Sequence, residues 1–218
     1  MDAIVPNRFL FRFEFPLRRA AKALPLSGEP ADWGDRFLLP ELCSIDGQTP
    51  FARVFGGWSE AGLYVAARVA GKARALRCDP TDFRHSDCMR LMTDMRDTRS
   101  IRRATRFCQQ FFFLPAGGGA KRREACAGLV KIPRATEDAP LAAASDIHVA
   151  SRVAKDGYGL TVLIPARSLV GFDPSQNPRI GFFVMLEDTE LGHQSLTIND
   201  DLNWWLDPST WPTAVLTE

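Results

Sequence analysis

The stretch with the densest chemical capacity is Asn199-Asp200-Asp201-Leu202-Asn203-Trp204-Trp205-Leu206-Asp207. Two adjacent indoles offer apolar faces for stacking, and the carboxamides and carboxylates beside them offer planar hydrogen-bonding groups. On a strand, neighbouring side chains face opposite ways, so one tryptophan would be a platform and the other core; on a loop both can be exposed. Tryptophans capping the edge of a sheet are the structural alternative, and both readings stay open.

A second stretch, Ser86 to Arg99, opens as a strand with Met89, Leu91 and Thr93 on one face and Cys88, Arg90 and Met92 on the other. It ends in alternating acid and base at Asp94, Arg96, Asp97 and Arg99, a rim that cannot be buried unpaired. Beyond it Arg99, Arg102, Arg103 and Arg106 follow i, i+3, i+4, i+7 spacing, which predicts four guanidinium groups on one face of a short helix. Such a face wants anions: Asp94 and Asp97, or an acidic protein partner.

Catalytic constellations are missing. His85, Asp87 and Asp94 can be drawn as a metal or acid–base site, but the strand alternation between them does not imply shared geometry. There is no nucleophile elbow, HExxH or paired-carboxylate motif. Gly117-Gly118-Gly119 ahead of Lys121 does not follow the phosphate-loop pattern. These observations favour a binding protein over an enzyme.

The 218 residues carry 27 basic and 26 acidic side chains, a net charge of +1, which removes the general electrostatic argument for nucleic acid or an anionic membrane as partner. No apolar run approaches the roughly 20 residues that span a bilayer. Met1 to Arg12 lacks the features of a signal peptide, so a cytoplasmic location is expected. The five cysteines, Cys43, Cys78, Cys88, Cys108 and Cys126, are odd in number and lack CxxC spacing, which argues against zinc and a disulfide framework. Cys78 with Cys88 is the pair that export would leave open.

The elements that must position these residues are strands. Phe9, Phe11, Phe13 and Phe15 alternate with Leu10, Arg12 and Glu14 in a half-buried strand that Pro16 ends. Leu17 to Pro50 follows as a long connection, with Trp33 either its anchor or a ligand platform. Phe51–Phe55 and Leu63–Val69 form a hairpin-like pair around a glycine-rich turn from Gly56 to Gly62. Further strands are expected at 107–114, 147–154, 158–164, 180–188 and up to Leu216, with a helical turn at Pro165–Leu169. About nine strands, no long amphipathic helix and no linker predict one all-β domain over 1–218, an antiparallel β-sandwich of jelly-roll or immunoglobulin-like type.

Four pieces in order carry a resemblance: Trp58-Ser59-Glu60-Ala61-Gly62-Leu63-Tyr64-Val65, then Asp87-Cys88-Met89-Arg90-Leu91-Met92-Thr93-Asp94, then Gly157 to Pro165, and Ile180-Gly181-Phe182 through Asp188, closed by Trp211 and Thr213–Leu216. Residues 50–217 resemble the family 9 carbohydrate-binding modules and the wider DOMON-like superfamily; residues 1–49 do not match the family's opening, and Arg90 stands where the family has glutamate. The resemblance implies a sandwich that binds a carbohydrate or polyol without transforming it. The site residues expected on that basis are Trp204 or Trp205 with Asn203, and Asp94, Arg96, Asp97 and Arg99 from the rim. It further implies calcium at loop carboxylates, for which Asp200 and Asp201 are the candidates. Haem b held by an axial methionine is the superfamily's other ligand; Met95 or Met185 with His85, His148 or His193 would be its ligands, while Met89 and Met92 fit core positions. A protein-interaction module using Arg99 to Arg106 is the remaining alternative.

Overall fold

The computed structural model describes residues 13–197 and 202–218. Its strands are β1 (Glu14–Arg19), β2 (Ala52–Ser59), β3 (Gly62–Ala70), β4 (Cys88–Asp94), β5 (Cys108–Gly118), β6 (Glu124–Val130), β7 (His148–Ala154), β8 (Gly157–Pro165), β9 (Arg179–Asp188), β10 (Gly192–Ser195) and β11 (Thr213–Thr217). The helical segments among the described residues are 3-10 turns of three or four residues, and none could cross a membrane.

All eleven strands belong to one sheet in the order β6-β5-β4-β9-β11-β1-β2-β3-β8-β7, with β10 added on β9. The two ends of that order return alongside each other, and Ser151 Oγ on β7 donates to the Pro115 carbonyl on β5 at 2.6 Å. The chain is all-β as expected, but in place of about nine antiparallel strands in a sandwich the described residues form eleven strands in a mixed sheet, rolled nearly closed. The mixed character comes from β1, which runs parallel to both β11 and β2. It continues through Pro16 instead of ending there, with Phe15 and Leu17 buried. A missing N–H is tolerated because β2 joins β1 only at Arg18 and Arg19. Phe9 and Phe11 lie outside the described residues.

Strand alternation fills the roll. Phe15, Leu17, Val65, Ala67, Val69, Met89, Leu91, Phe111, Phe113, Leu160, Val162, Phe182 and Val184 meet in one core. The outer faces are covered too, by connections. The segment after β1 lays Trp33 and Phe37 over Phe55 and Tyr64. Trp33 Nε1 donates to the Pro25 carbonyl at 2.8 Å and its ring meets Tyr64 edge-on at 6.0 Å, so this tryptophan anchors the loop. The glycines expected to form a turn at Gly56 and Gly57 are instead inside β2. A Cβ at Gly56 would sit 2.8 Å from Leu17 Cδ1 and one at Gly57 2.9 Å from Phe37, so they permit close passage of neighbouring chain.

Residues 71–87 are fastened by a buried ion cluster. Lys72 Nζ lies 3.2 Å from the Asp87 carboxylate and 2.9 Å from that of Asp188. Asp87 also accepts from the N–H of Arg77 and from the N–H and hydroxyl of Thr189. Burial pulls the Lys72 ammonium down, but the bonds to Asp188 and Asp87 outweigh it and hold it above its ordinary value of 10.5. A group raised on folding contributes stability that is complete below its ordinary pKa and lost as pH climbs through the folded one. Lys72→Met, which leaves two buried carboxylates without their cation, should cost about 3–5 kcal/mol in urea denaturation at neutral pH. The wild-type midpoint should drop in alkali beyond 10.5, a decline absent from the variant.

Candidate functional site

β4 is the central strand of its half of the sheet, between β5 and β9, and all seven of its residues are buried. Burial on both faces means that its polar members must be satisfied locally. On the outer face Arg90 is only 4% exposed. Its Nη1 donates to Glu187 Oε1 at 2.9 Å, and its guanidinium lies 4.5 Å from the Trp204 ring centroid and 5.5 Å from that of Phe83. Two aromatic faces and one carboxylate thus take the place of water around the cation.

Trp204 is fixed by this arrangement. It is 2% exposed, tilts against Phe183 at 5.2 Å, and packs with Met92, Met185 and Trp211. The loop is closed by Trp211 Nε1 donating to the Trp204 carbonyl at 2.8 Å and by the N–H groups of Leu206 and Asp207 donating to the Asn203 carbonyl. Asp207 ends it by accepting from the N–H and hydroxyl of Ser209. Trp205 meets Trp204 at 5.9 Å and 88°, edge to face, and is half-buried; Asn203 is exposed. The adjacent indoles therefore divide their roles in a turn as they would on a strand. Asn199, Asp200 and Asp201 lie outside the described residues.

The rim predicted at the end of β4 is a folded turn. Asp94 is 2% exposed; its Oδ1 accepts from the Arg96 N–H at 3.0 Å and its Oδ2 from the Thr98 N–H at 2.7 Å. Burial pushes its carboxyl above the ordinary 3.8, against the pull of those N–H groups. Arg96 donates to the Gly171 carbonyl and lies 4.3 Å from the Phe107 ring. Asp97 sits at φ 46° and accepts from the Thr213 hydroxyl, with Arg179 at 3.5 Å. Arg99 reaches Glu14 at 3.7 Å.

The four-arginine helix does not form. Residues 97–107 run as irregular chain with two short turns and a bend, Arg106 pairs with Glu137 at 3.5 Å, and Arg102 and Arg103 are exposed. Repulsion among four like charges on one face disfavours that helix.

Nor does the structure bring His85, Asp87 and Asp94 together. His85 bonds Asp82, Asp87 serves Lys72, and Asp94 lies at the far end of β4, roughly 23 Å away at the usual strand rise. None of the described cysteines takes part in a disulfide. Burial pushes the thiols of Cys78 and Cys108 up to about 12, so neither is a nucleophile at neutral pH. Met89 and Met95 belong to the inner core and Met92 and Met185 to the cluster under Trp204, whereas His85, His148 and His193 are exposed.

Trp204→Ala should empty a large buried volume and uncover Arg90. The expected loss is about 3–5 kcal/mol of stability, read by chemical denaturation. Trp205→Ala should cost under about half of that.

No family model and no curated protein matches this chain. Solved structures do. A family 9 carbohydrate-binding module from Caldicellulosiruptor kristjanssonii in complex with cellotriose superposes with a TM-score of 0.64 at 15% identity, covering 94% of each chain. The complex of a family 9 module from that organism with glucose gives 0.64 at 14%, covering 94% of this chain and 96% of the other. A Bacteroides uniformis protein, described as a candidate carbohydrate-binding protein, gives 0.61 at 12%, covering 95% and 100%. The chain has the fold of the family 9 carbohydrate-binding modules.

Proposed function

We propose that this protein is a non-catalytic carbohydrate-binding module whose ligand stacks on Trp205 beside Asn203. The observation that carries the reading is a half-buried indole held edge-on by a buried one, with an exposed carboxamide two residues before it. It occurs on a fold whose solved examples include modules complexed with cellotriose and with glucose. Trp204 backs the platform, and Asp94, Arg96, Asp97 and Arg99 hold the neighbouring turn in shape. The protonated thiols of Cys78 and Cys108 and the separation of His85, Asp87 and Asp94 support binding without transformation of the ligand.

An indole face covers the C–H surface of a pyranose while a carboxamide exchanges hydrogen bonds with its hydroxyls, so a small aromatic-polar rim suits a sugar. Titration with cellotriose and glucose, followed by tryptophan fluorescence, should give a saturable change. Trp205→Ala should weaken it at least tenfold, about 1.4 kcal/mol, in a variant that circular dichroism shows to be folded. Asn203→Ala should weaken it severalfold. Raising salt should leave the affinity nearly constant; a steep fall would point instead to an acidic protein partner at Arg102 and Arg103. A silent wild-type protein, or full affinity in Trp205→Ala, would overturn the assignment.

A further inference from the structure

β1 and β2 part after two residue pairs, at Arg18–Gly57 and Arg19–Trp58. The first half of β2 therefore needs other partners along that edge. The Leu39 N–H donates to the Val54 carbonyl at 2.8 Å. Gln194 supplies the rest: its Oε1 accepts from the N–H groups of Phe51 and Ala52, each at 2.8 Å, and its Nε2 donates to the Ala52 carbonyl at 2.7 Å. Where the strands diverge the sheet leaves a cavity of about 400 Å³, walled by Leu42, Phe51, Val54, Val184, Leu186 and Leu196. That volume lies within the range of small-molecule sites, about 300–1,000 Å³.

The chemistry of the lining narrows the occupant. The Gln194 amide is bonded to the β2 edge and Glu41 Oε1, also on the lining, accepts from the N–H of Cys43 and of Ser44, which leaves the buried Ser195 hydroxyl as the lining's side-chain oxygen without a partner among the described residues. A hydroxyl-rich ligand pushed among the aliphatic walls would lose its hydrogen bonds to water and find one hydroxyl, that of Ser195, in exchange. The inserted part must be largely apolar. At the lining's outer side stand Arg53 and Arg68, directly opposite each other in the β2–β3 register. Like charges so placed repel. Each meets a single exposed aspartate, Asp35 at 2.7 Å and Asp156 at 3.4 Å, and keeps further N–H groups for another anion.

From this we infer that the cavity is a second binding site, separate from the aromatic rim, for an amphiphile with an apolar body and a carboxylate head. The apolar body fills the gap between β2 and β9, and the head bridges Arg53 and Arg68. The site is independent of the carbohydrate reading, since Trp205 and Asn203 take no part in its lining.

The test is binding of 1-anilinonaphthalene-8-sulfonate to the full chain, followed by displacement. One saturable site per chain is expected, emptied by dodecanoate but not by dodecyltrimethylammonium or cellotriose. Ala52→Leu, which fills the inner wall, and Arg53→Glu, which reverses the charge at an exposed position, should each weaken the probe at least tenfold. Circular dichroism establishes that the variants are folded; should Ala52→Leu not fold, Arg53→Glu decides alone. Absence of a saturable site, equal displacement by the cationic amphiphile, or unchanged binding in the folded variants would overturn the inference.

Discussion

A guanidinium kept almost wholly from water on the outside of a β-sheet governs the packing around β4 and β9. Arg90 has one carboxylate partner at 2.9 Å and two aromatic neighbours, and an ion in so little water is tolerable only while all three stay in place. Glu187 comes from the adjacent strand β9, Phe83 from the segment before β4, and Trp204 from the loop before β11. One strand and two separate connections must converge for one side chain. That requirement fixes the 202–212 loop against the sheet, and it selects the first tryptophan of the pair as cover and leaves the second at the surface.

The same logic extends over the whole roll. A closed arrangement of strands needs a filled interior, but β4 and much of β3, β8 and β9 are buried on both faces. The outer cover comes from long irregular connections, whose backbone polar groups must be paired one by one. Asp87 with the N–H groups of Arg77 and Thr189 does this for one connection, Trp33 with the Pro25 carbonyl for another, and Asp94 with the N–H groups of Arg96 and Thr98 for a third. Charged residues that look in sequence like a ligand-facing rim are here used up on turn geometry.

Where period-2 alternation was strong the strands were legible: Leu63 to Val69, Met89 to Thr93, Tyr158 to Ile164 and Ile180 to Asp188 all lie in strands. β6 and β10 were not, because Glu124–Val130 alternates small residues, Ala, Cys and Gly, that carry little hydrophobic contrast. Gly128 is small for a tertiary reason: a Cβ there would lie 2.3 Å from the Phe112 ring. The parallel placement of β1 could not be read either, since it depends on the two ends of the chain meeting. At the site, the Asn203-Trp204-Trp205 stretch stood out by composition alone. Which indole is exposed was undetermined locally; it is decided by Arg90, more than a hundred positions earlier.

The two candidate sites differ in what the fold can offer a ligand. The rim presents an indole beside an exposed carboxamide in contact with water, so polar groups on a ligand exchange one set of hydrogen bonds for another and stacking supplies the net gain. The cavity presents mainly aliphatic walls, with the β2 edge beside them committed to Gln194 and only the Ser195 hydroxyl unpaired among the described residues, so chiefly apolar surface gains by entering. Both trace to strand pairing. β9 carries Glu187 on its outer face and Val184 and Leu186 on its inner face, so one strand anchors the ion pair beneath the rim and lines the gap left by β1 and β2. A substitution that shifted the β9 register by one residue would exchange these faces and abolish both surfaces together.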